Sequence, residues 1–125
     1  EALYLVETHN AQIIKNNKHL SHHEIIKLFS KGKSFLTKYY VFKELRKKGY
    51  IVKAGLKFGG DFRVYEKNKL QHAKYICYPF SSEKIDIKDL ISKTRVSHST
   101  GKKLLLAFVD KEDDVLFYEI DWVKP

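Results

Sequence analysis

Apolar positions along the chain change period twice. Residues 1–7 (EALYLVE) read as the end of a helix, and a short extended piece follows over Ala11–Lys15. Ser21-His22-His23-Glu24 has the spacing of a capping box, with Ser21 as the N-cap and Glu24 reaching back to its amide. Ile25, Ile26, Leu28 and Phe29 then give a short helix one apolar face, and Lys31-Gly32-Lys33 ends it. A second helix is predicted over Ser34–Lys48, because Leu36, Tyr39, Tyr40, Val41 and Leu45 fall at helical spacing. Arg46, Lys47 and Lys48 suit its negative C-terminal end, and Gly49 suits the left-handed cap.

After Gly49 the period shortens. Tyr50–Leu56 and Asp61–Glu66 are β-rich runs on either side of Lys57-Phe58-Gly59-Gly60. Glu66–Gln71 is a polar loop, and His72–Phe80 reads as a third strand. Asp86–Ser99 reads as a helix with Ile87, Leu90, Ile91 and Thr94 on one side. Lys103–Val109 is nearly all apolar, which fits a strand central in a sheet. Asp110–Asp114 is a charged turn, and Val115–Val123 is a last strand. A helix between the third and fourth strands implies a crossover, and therefore a mixed sheet. The expected fold is α/β: a compact mixed β-sheet flanked by helices over residues 34–125, preceded by a partial N-terminal α/β module over residues 1–33.

Composition narrows the partners. Of 125 residues, 43% are hydrophobic and 14% aromatic, enough for a real core. Lys and Arg number 24 against 15 acids, a net charge of +9 that favours a polyanion, because each neutralised phosphate releases counterions. No apolar run is long enough to span a membrane, and EALYLVETHN lacks the pattern of a signal peptide. Glu1 in place of Met points to a fragment or a processed product. The only cysteine, Cys77, excludes an intramolecular disulfide and a Cys-based zinc site. It lies in the apolar run KYICYPF and reads as a core residue of a protein from a reducing cytoplasm.

Common site chemistries find little support. His19 and His23 are four apart, but Ser21 starts the helix between them, so they read as surface polar residues. Gly55, Gly59 and Gly60 match no phosphate-binding loop and read as turn glycines. A magnesium nuclease of the restriction type needs an acid followed by Glu-x-Lys on the next strand. Asp61 is present, but Glu66-Lys67-Asn68 misses that spacing. Tyr65 ends one strand, His72 follows seven residues on, and Lys102 precedes a later strand. Spacing alone leaves open whether these three converge.

Longer stretches carry a resemblance. Tyr39–Lys53 resembles the opening of the tRNA-intron endonuclease catalytic domain. Gly55-Leu56-Lys57-Phe58-Gly59-Gly60-Asp61-Phe62-Arg63-Val64-Tyr65 looks like that family's Gly-x-Lys-[Phe/Tyr]-Gly-x-Asp-Phe-x-x-Tyr signature. His72-Ala73-Lys74-Tyr75 is similar to its His-x-x-Tyr block, and Arg95–Lys103 to its Arg-x-x-His-Ser-x-x-Lys-Lys block. Val123-Lys124-Pro125 looks like the usual terminus, and Glu1–Leu5 resembles the last helix of the family's N-terminal domain. The resemblance runs in order over essentially the whole chain. The loop between Tyr65 and His72 is short for the family, and most of the N-terminal domain is absent.

The resemblance implies an archaeal-type, restriction-endonuclease-like catalytic subunit that excises introns from precursor tRNA at bulge–helix–bulge sites. It implies a catalytic set of Tyr65 as base, His72 as general acid and Lys102 as the cation on the phosphorane. Attack by the 2′-hydroxyl would leave a 2′,3′-cyclic phosphate and a 5′-hydroxyl, with no metal and no cofactor. A free imidazole titrates near 6.5 and donates readily near neutrality. A free phenol titrates near 10 and acts as a base only with a cation beside it, a part open to Lys102, or it only positions the hydroxyl. The resemblance also implies that Arg95 and Trp122 hold a bulged base, the second planar group coming from the opposite subunit. It implies a four-unit assembly, homomeric or heteromeric with a structural subunit. Asp110, Asp113 and Asp114 would dock into a neighbour's basic cleft, while Phe117 and Tyr118 would lie at a two-fold interface. The alternative function is a non-catalytic RNA-binding subunit of the same machinery.

Overall fold

The computed structural model describes residues 1–9, 12, 14, 15, 18, 19, 21–24, 33–55, 62–81 and 84–125. The chain divides into two compact units, Glu1–Leu36 and Thr37–Pro125. In the first, helix α1 (Ala2–His9) carries the buried Leu3. Strands β1 (Ile14–Lys15) and β2 (Lys18–His19) pair antiparallel. The capping box forms as its spacing predicts. The Glu24 amide donates to Ser21 Oγ and the Ser21 amide to Glu24 Oε1, both at 3.3 Å. His22 Nε2 lies 2.8 Å from Glu7 Oε1, an ordinary ion pair or hydrogen bond. The apolar run Ile25–Phe29, the turn Gly59-Gly60 and Asp61 lie outside the described residues.

The larger unit follows helix α2 (Lys33–Lys47) with β3 (Ile51–Ala54), β4 (Phe62–Tyr65) and β5 (Tyr75–Phe80). Helix α3 (Ile87–Ser99), β6 (Lys103–Val109) and β7 (Val115–Ile120) complete it. Among the described residues the sheet order is β3-β4-β5-β6-β7. Only β5 and β6 run parallel, because α3 crosses between them; every other neighbour is antiparallel. This is the mixed α/β sheet that the residue pattern predicts.

Period-two alternation gives the sheet two faces. One carries Ile76, Tyr78, Leu104 and Leu106, all buried, against which Leu90 of α3 packs with Phe80, Ile85 and Ile120. The other carries Phe62, Val64, Cys77, Leu105 and Ala107 and meets α2, whose Phe42 ring lies 6.0 Å from that of Phe62. Cys77 is fully buried, as its apolar surroundings suggest. β6 is covered on both faces, which explains its unbroken apolar run.

Three expectations are corrected. The third strand starts at Tyr75, not His72, because β4 supplies its first partner at Val64; His72 sits in the preceding bend. The last strand stops at Ile120, not Val123, because its pairing with β6 ends there, at the Leu104–Ile120 pair. Trp122 and Val123 therefore lie beyond the strand, in the C-terminal tail. Of the apolar α3 residues expected on one side, Leu90 packs on the core, whereas Ile87 and Ile91 are 64% and 47% exposed; Ser97 is the buried residue of this helix.

Candidate active site

Three backbone segments meet at one end of this sheet. β4 is antiparallel to β5, and β5 is parallel to β6, so the C-terminus of β4 and the N-termini of β5 and β6 share one end. Lys74 ties them. Its amide donates to the carbonyl of Val64 at 2.8 Å, and its carbonyl accepts from the amide of Lys103 at 3.0 Å. Tyr65 follows Val64, His72 precedes Lys74 by two residues, and Lys102 precedes Lys103. The side chains that spacing left open thus occupy one end of one sheet, on three adjacent segments.

Each position has a local cause. Tyr65 ends β4 and is buried, with 6% of its surface exposed. His72 is exposed, in a bend that follows the turn closed by the Lys69 amide on the Glu66 carbonyl at 3.1 Å and just before the buried Ala73. Lys102 is placed by the end of α3. Gly101 takes φ +71°, its amide donates to the His98 carbonyl, and the Lys102 amide donates to the Ser97 carbonyl at 2.8 Å. That pair of bonds is the Schellman cap, and it turns the chain straight into β6. Lys102 is half-buried, and its Nζ donates to the Thr100 carbonyl at 3.1 Å.

Charge gathers at the same end. Lys53 Nζ lies 5.4 Å from the centre of the Tyr65 ring, and Arg63 Cζ lies 5.9 Å from it. Neither residue was a candidate from the sequence. The signal that could have found them is alternation, since Arg63 is two residues before Tyr65 and Lys53 faces Arg63 across the β3–β4 pair. On the opposite face, Lys74 lies 3.4 Å from Glu66, and its ammonium sits 5.2 Å over the Tyr75 ring. The Tyr75 phenol and the Glu66 carboxylate hold the Lys74 ammonium above its ordinary pKa. Burial pushes the Tyr75 phenol up, with Glu119 adding to this and Lys74 opposing it. Among the described residues, no three His, Cys, Asp or Glu side chains gather as a metal site would need.

The other candidates lie elsewhere on the unit. Arg95 and Trp122 line one open cleft of about 410 Å³ with Leu90, Ile91 and Ile120. The indole is half exposed and rests against His98, ring centres 4.8 Å apart, a neighbour that sequence reasoning missed. Asp110 shapes its own turn. Its Oδ1 accepts from the amides of Glu112 at 2.9 Å and Asp114 at 3.0 Å, and Asp113 takes φ +63°. Asp113 and Asp114 remain exposed, Tyr118 is 53% exposed, and Phe117 is half-buried on the opposite face.

The sequence is similar to those of known proteins. The family described as tRNA intron endonuclease, catalytic C-terminal domain, matches residues 35–117. A tRNA-splicing endonuclease of Pyrococcus abyssi is 41% identical over 126 residues, which span 99% of this chain and 74% of that protein. One from Methanothermobacter thermautotrophicus is 38% identical over 129 residues, covering 100% of this chain and 75% of its own. One from Nanoarchaeum equitans is 40% identical over 136 residues, covering 100% and 87%.

Proposed function

This chain belongs to the tRNA intron endonuclease family by its catalytic C-terminal domain, and we propose that it cuts introns from precursor tRNA at bulge–helix–bulge sites without a metal. The observation that supports this reading is the backbone row through Lys74, which gathers Tyr65, His72 and Lys102 at one end of the sheet. β4 and β6 are two strand spacings apart, about 10 Å between backbones. A phenol and a lysine side chain reaching inward can meet around a single phosphate across that gap.

The chemistry needs no nucleophile from the protein, because the 2′-hydroxyl of the substrate supplies it. The 2′-oxygen forms a bond to phosphorus as the bond from phosphorus to the 5′-oxygen breaks. One proton leaves the 2′-oxygen and one arrives on the 5′-oxygen. Tyr65 receives or orients the first. His72, exposed and within a bend, donates the second. Lys102 offsets the extra negative charge on the phosphorane, an electrostatic role that a preorganised, half-buried ammonium performs without rearrangement. The products are a 2′,3′-cyclic phosphate and a 5′-hydroxyl. Arg95 and Trp122 grip an unstacked base by its faces. Asp113, Asp114, Phe117 and Tyr118 serve contacts between subunits of a four-unit assembly in a reducing cytoplasm.

The test is cleavage of a bulge–helix–bulge transcript in EDTA. The intact enzyme cuts it and leaves a cyclic phosphate, and His72→Ala slows cutting by about 10²–10⁴ while still binding RNA. Cutting that appears only with added magnesium overturns the mechanism. Salt-sensitive RNA binding without turnover in any assembly identifies a non-catalytic subunit instead.

A further inference from the structure

Two cations stand directly opposite each other on β3 and β4, and this arrangement has a cost. Lys53 and Arg63 are register partners, and like charges across a strand pair repel. Both lie over the ring of Tyr65, whose attraction offsets part of that repulsion. Arg63 is further fixed by its Nε, which donates to the Ala54 carbonyl at 2.7 Å. That bond orients the guanidinium and leaves its terminal nitrogens as donors for something else. Among the described residues, no carboxylate is paired with either side chain. β3 is the edge strand at that side of the sheet, and Lys53 is exposed on it.

We propose that Lys53 and Arg63 form a phosphate-binding pair that grips the RNA backbone beside the scissile bond. Two residues of extended strand, from Arg63 to Tyr65, span about 7 Å, roughly one nucleotide of backbone. An oriented guanidinium matches two phosphate oxygens, and an ammonium beside it adds a point charge. A bound phosphate relieves the repulsion between the two cations. Such contacts fix register and carry no base preference, which suits an enzyme that recognises the shape of its RNA. The site rests on the RNA-cutting reading given above for its place next to the scissile bond.

The experiment measures binding of a bulge–helix–bulge transcript in the His72→Ala background, so that the RNA stays whole, from about 50 to 200 mM salt. Replacing Lys53 and Arg63 together with Gln makes the slope of log affinity against log salt shallower by about 1.4–1.8, the loss expected for two phosphate contacts. The exchange Lys53→Arg with Arg63→Lys keeps both charges and restores the slope. Lys53→Gln alone alters an exposed side chain and gives about half the change, so the test stands even where the double variant folds poorly. An unchanged slope overturns the proposal. So does slower cutting with unchanged affinity when the pair is removed from the cutting enzyme, for that assigns the two cations to holding Tyr65. Cleavage by the parent enzyme in EDTA is read in parallel. If the parent fails to cut but the slope still changes, the enzymatic reading falls and the phosphate contacts remain.

Discussion

Helices α2 and α3 stop by the same pattern of bonds. Gly49 and Gly101 both take positive φ, 93° and 71°. In α2 the Gly49 amide donates to Arg46 and the Tyr50 amide to Leu45, at 3.0 and 3.1 Å. In α3 the Gly101 amide donates to His98 and the Lys102 amide to Ser97, at 3.0 and 2.8 Å. The residue just past each cap then meets a different fate. Tyr50 leads into the edge strand β3 and packs edge-on against Tyr75, ring centres 6.3 Å apart. Lys102 leads into the central strand β6, where β5 and the end of β4 already converge. The cap sets where a side chain stands in its own segment. The sheet position of the next strand decides what stands around it.

The sharpest way to break this comparison is to remove the residue after each cap. Lys102→Ala is expected to slow cutting by about 10²–10³, the usual loss for a group that meets charge in the transition state. It should change unfolding stability by about 1 kcal/mol, the usual worth of a side-chain hydrogen bond such as the one it makes to the Thr100 carbonyl. Tyr50→Ala should do the reverse: a loss of about 1–2 kcal/mol from a half-buried ring, with cutting by the folded protein nearly intact. Denaturant titration and single-turnover cleavage on both variants check this. Equal losses of cutting would erase the distinction between the two ends.

A subtler cut is at the glycines. A Cβ at Gly49 or Gly101 would meet nothing within 4 Å, so alanine is penalised at both by backbone strain alone. Each substitution should cost about 1–2 kcal/mol. Only Gly101→Ala should also slow cutting, because a displacement of Lys102 by about 1 Å can cost about 10²-fold. If both variants lose stability equally and neither loses rate, the α3 cap is structural and does not position Lys102.

The glycine caps also mark how far the sequence could be read. The Gly49 cap, the Ser21–Glu24 box and the crossover that makes the sheet mixed are signals of residue order along the chain, whereas the Gly101 cap was not singled out from the sequence. Strand limits were less legible, since they depend on where the partner strand stops. Hence Tyr75 starts β5 only because Val64 faces it, and Ile120 ends β7 because Leu104 does. The candidate set Tyr65, His72 and Lys102 came from a family resemblance. Their spacing could not show that Lys74 joins all three segments. Lys53 and Arg63 escaped notice for a similar reason: a cross-strand register is invisible until the strands are paired.

The smallest expected difference between the two helix ends appears in alkali. Tyr75 packs against Tyr50 at the α2 end, and its phenol titrates above the ordinary value of 10.0, chiefly through burial. Lys74 titrates above 10.5 through Tyr75 and Glu66. Both folded values are raised, so the fold favours a neutral phenol and a charged ammonium. Their stabilisation is complete below about pH 10 and is lost as pH rises through the folded values. Tyr75→Phe removes the phenol's share and the phenol's support of Lys74, so its stability should fall less steeply above pH 10 than that of the parent. Urea midpoints at pH 8, 10 and 11 on the two proteins measure the difference. Parallel curves for Tyr75→Phe and the parent would mean that the cluster beneath α2 contributes nothing to the alkaline limit.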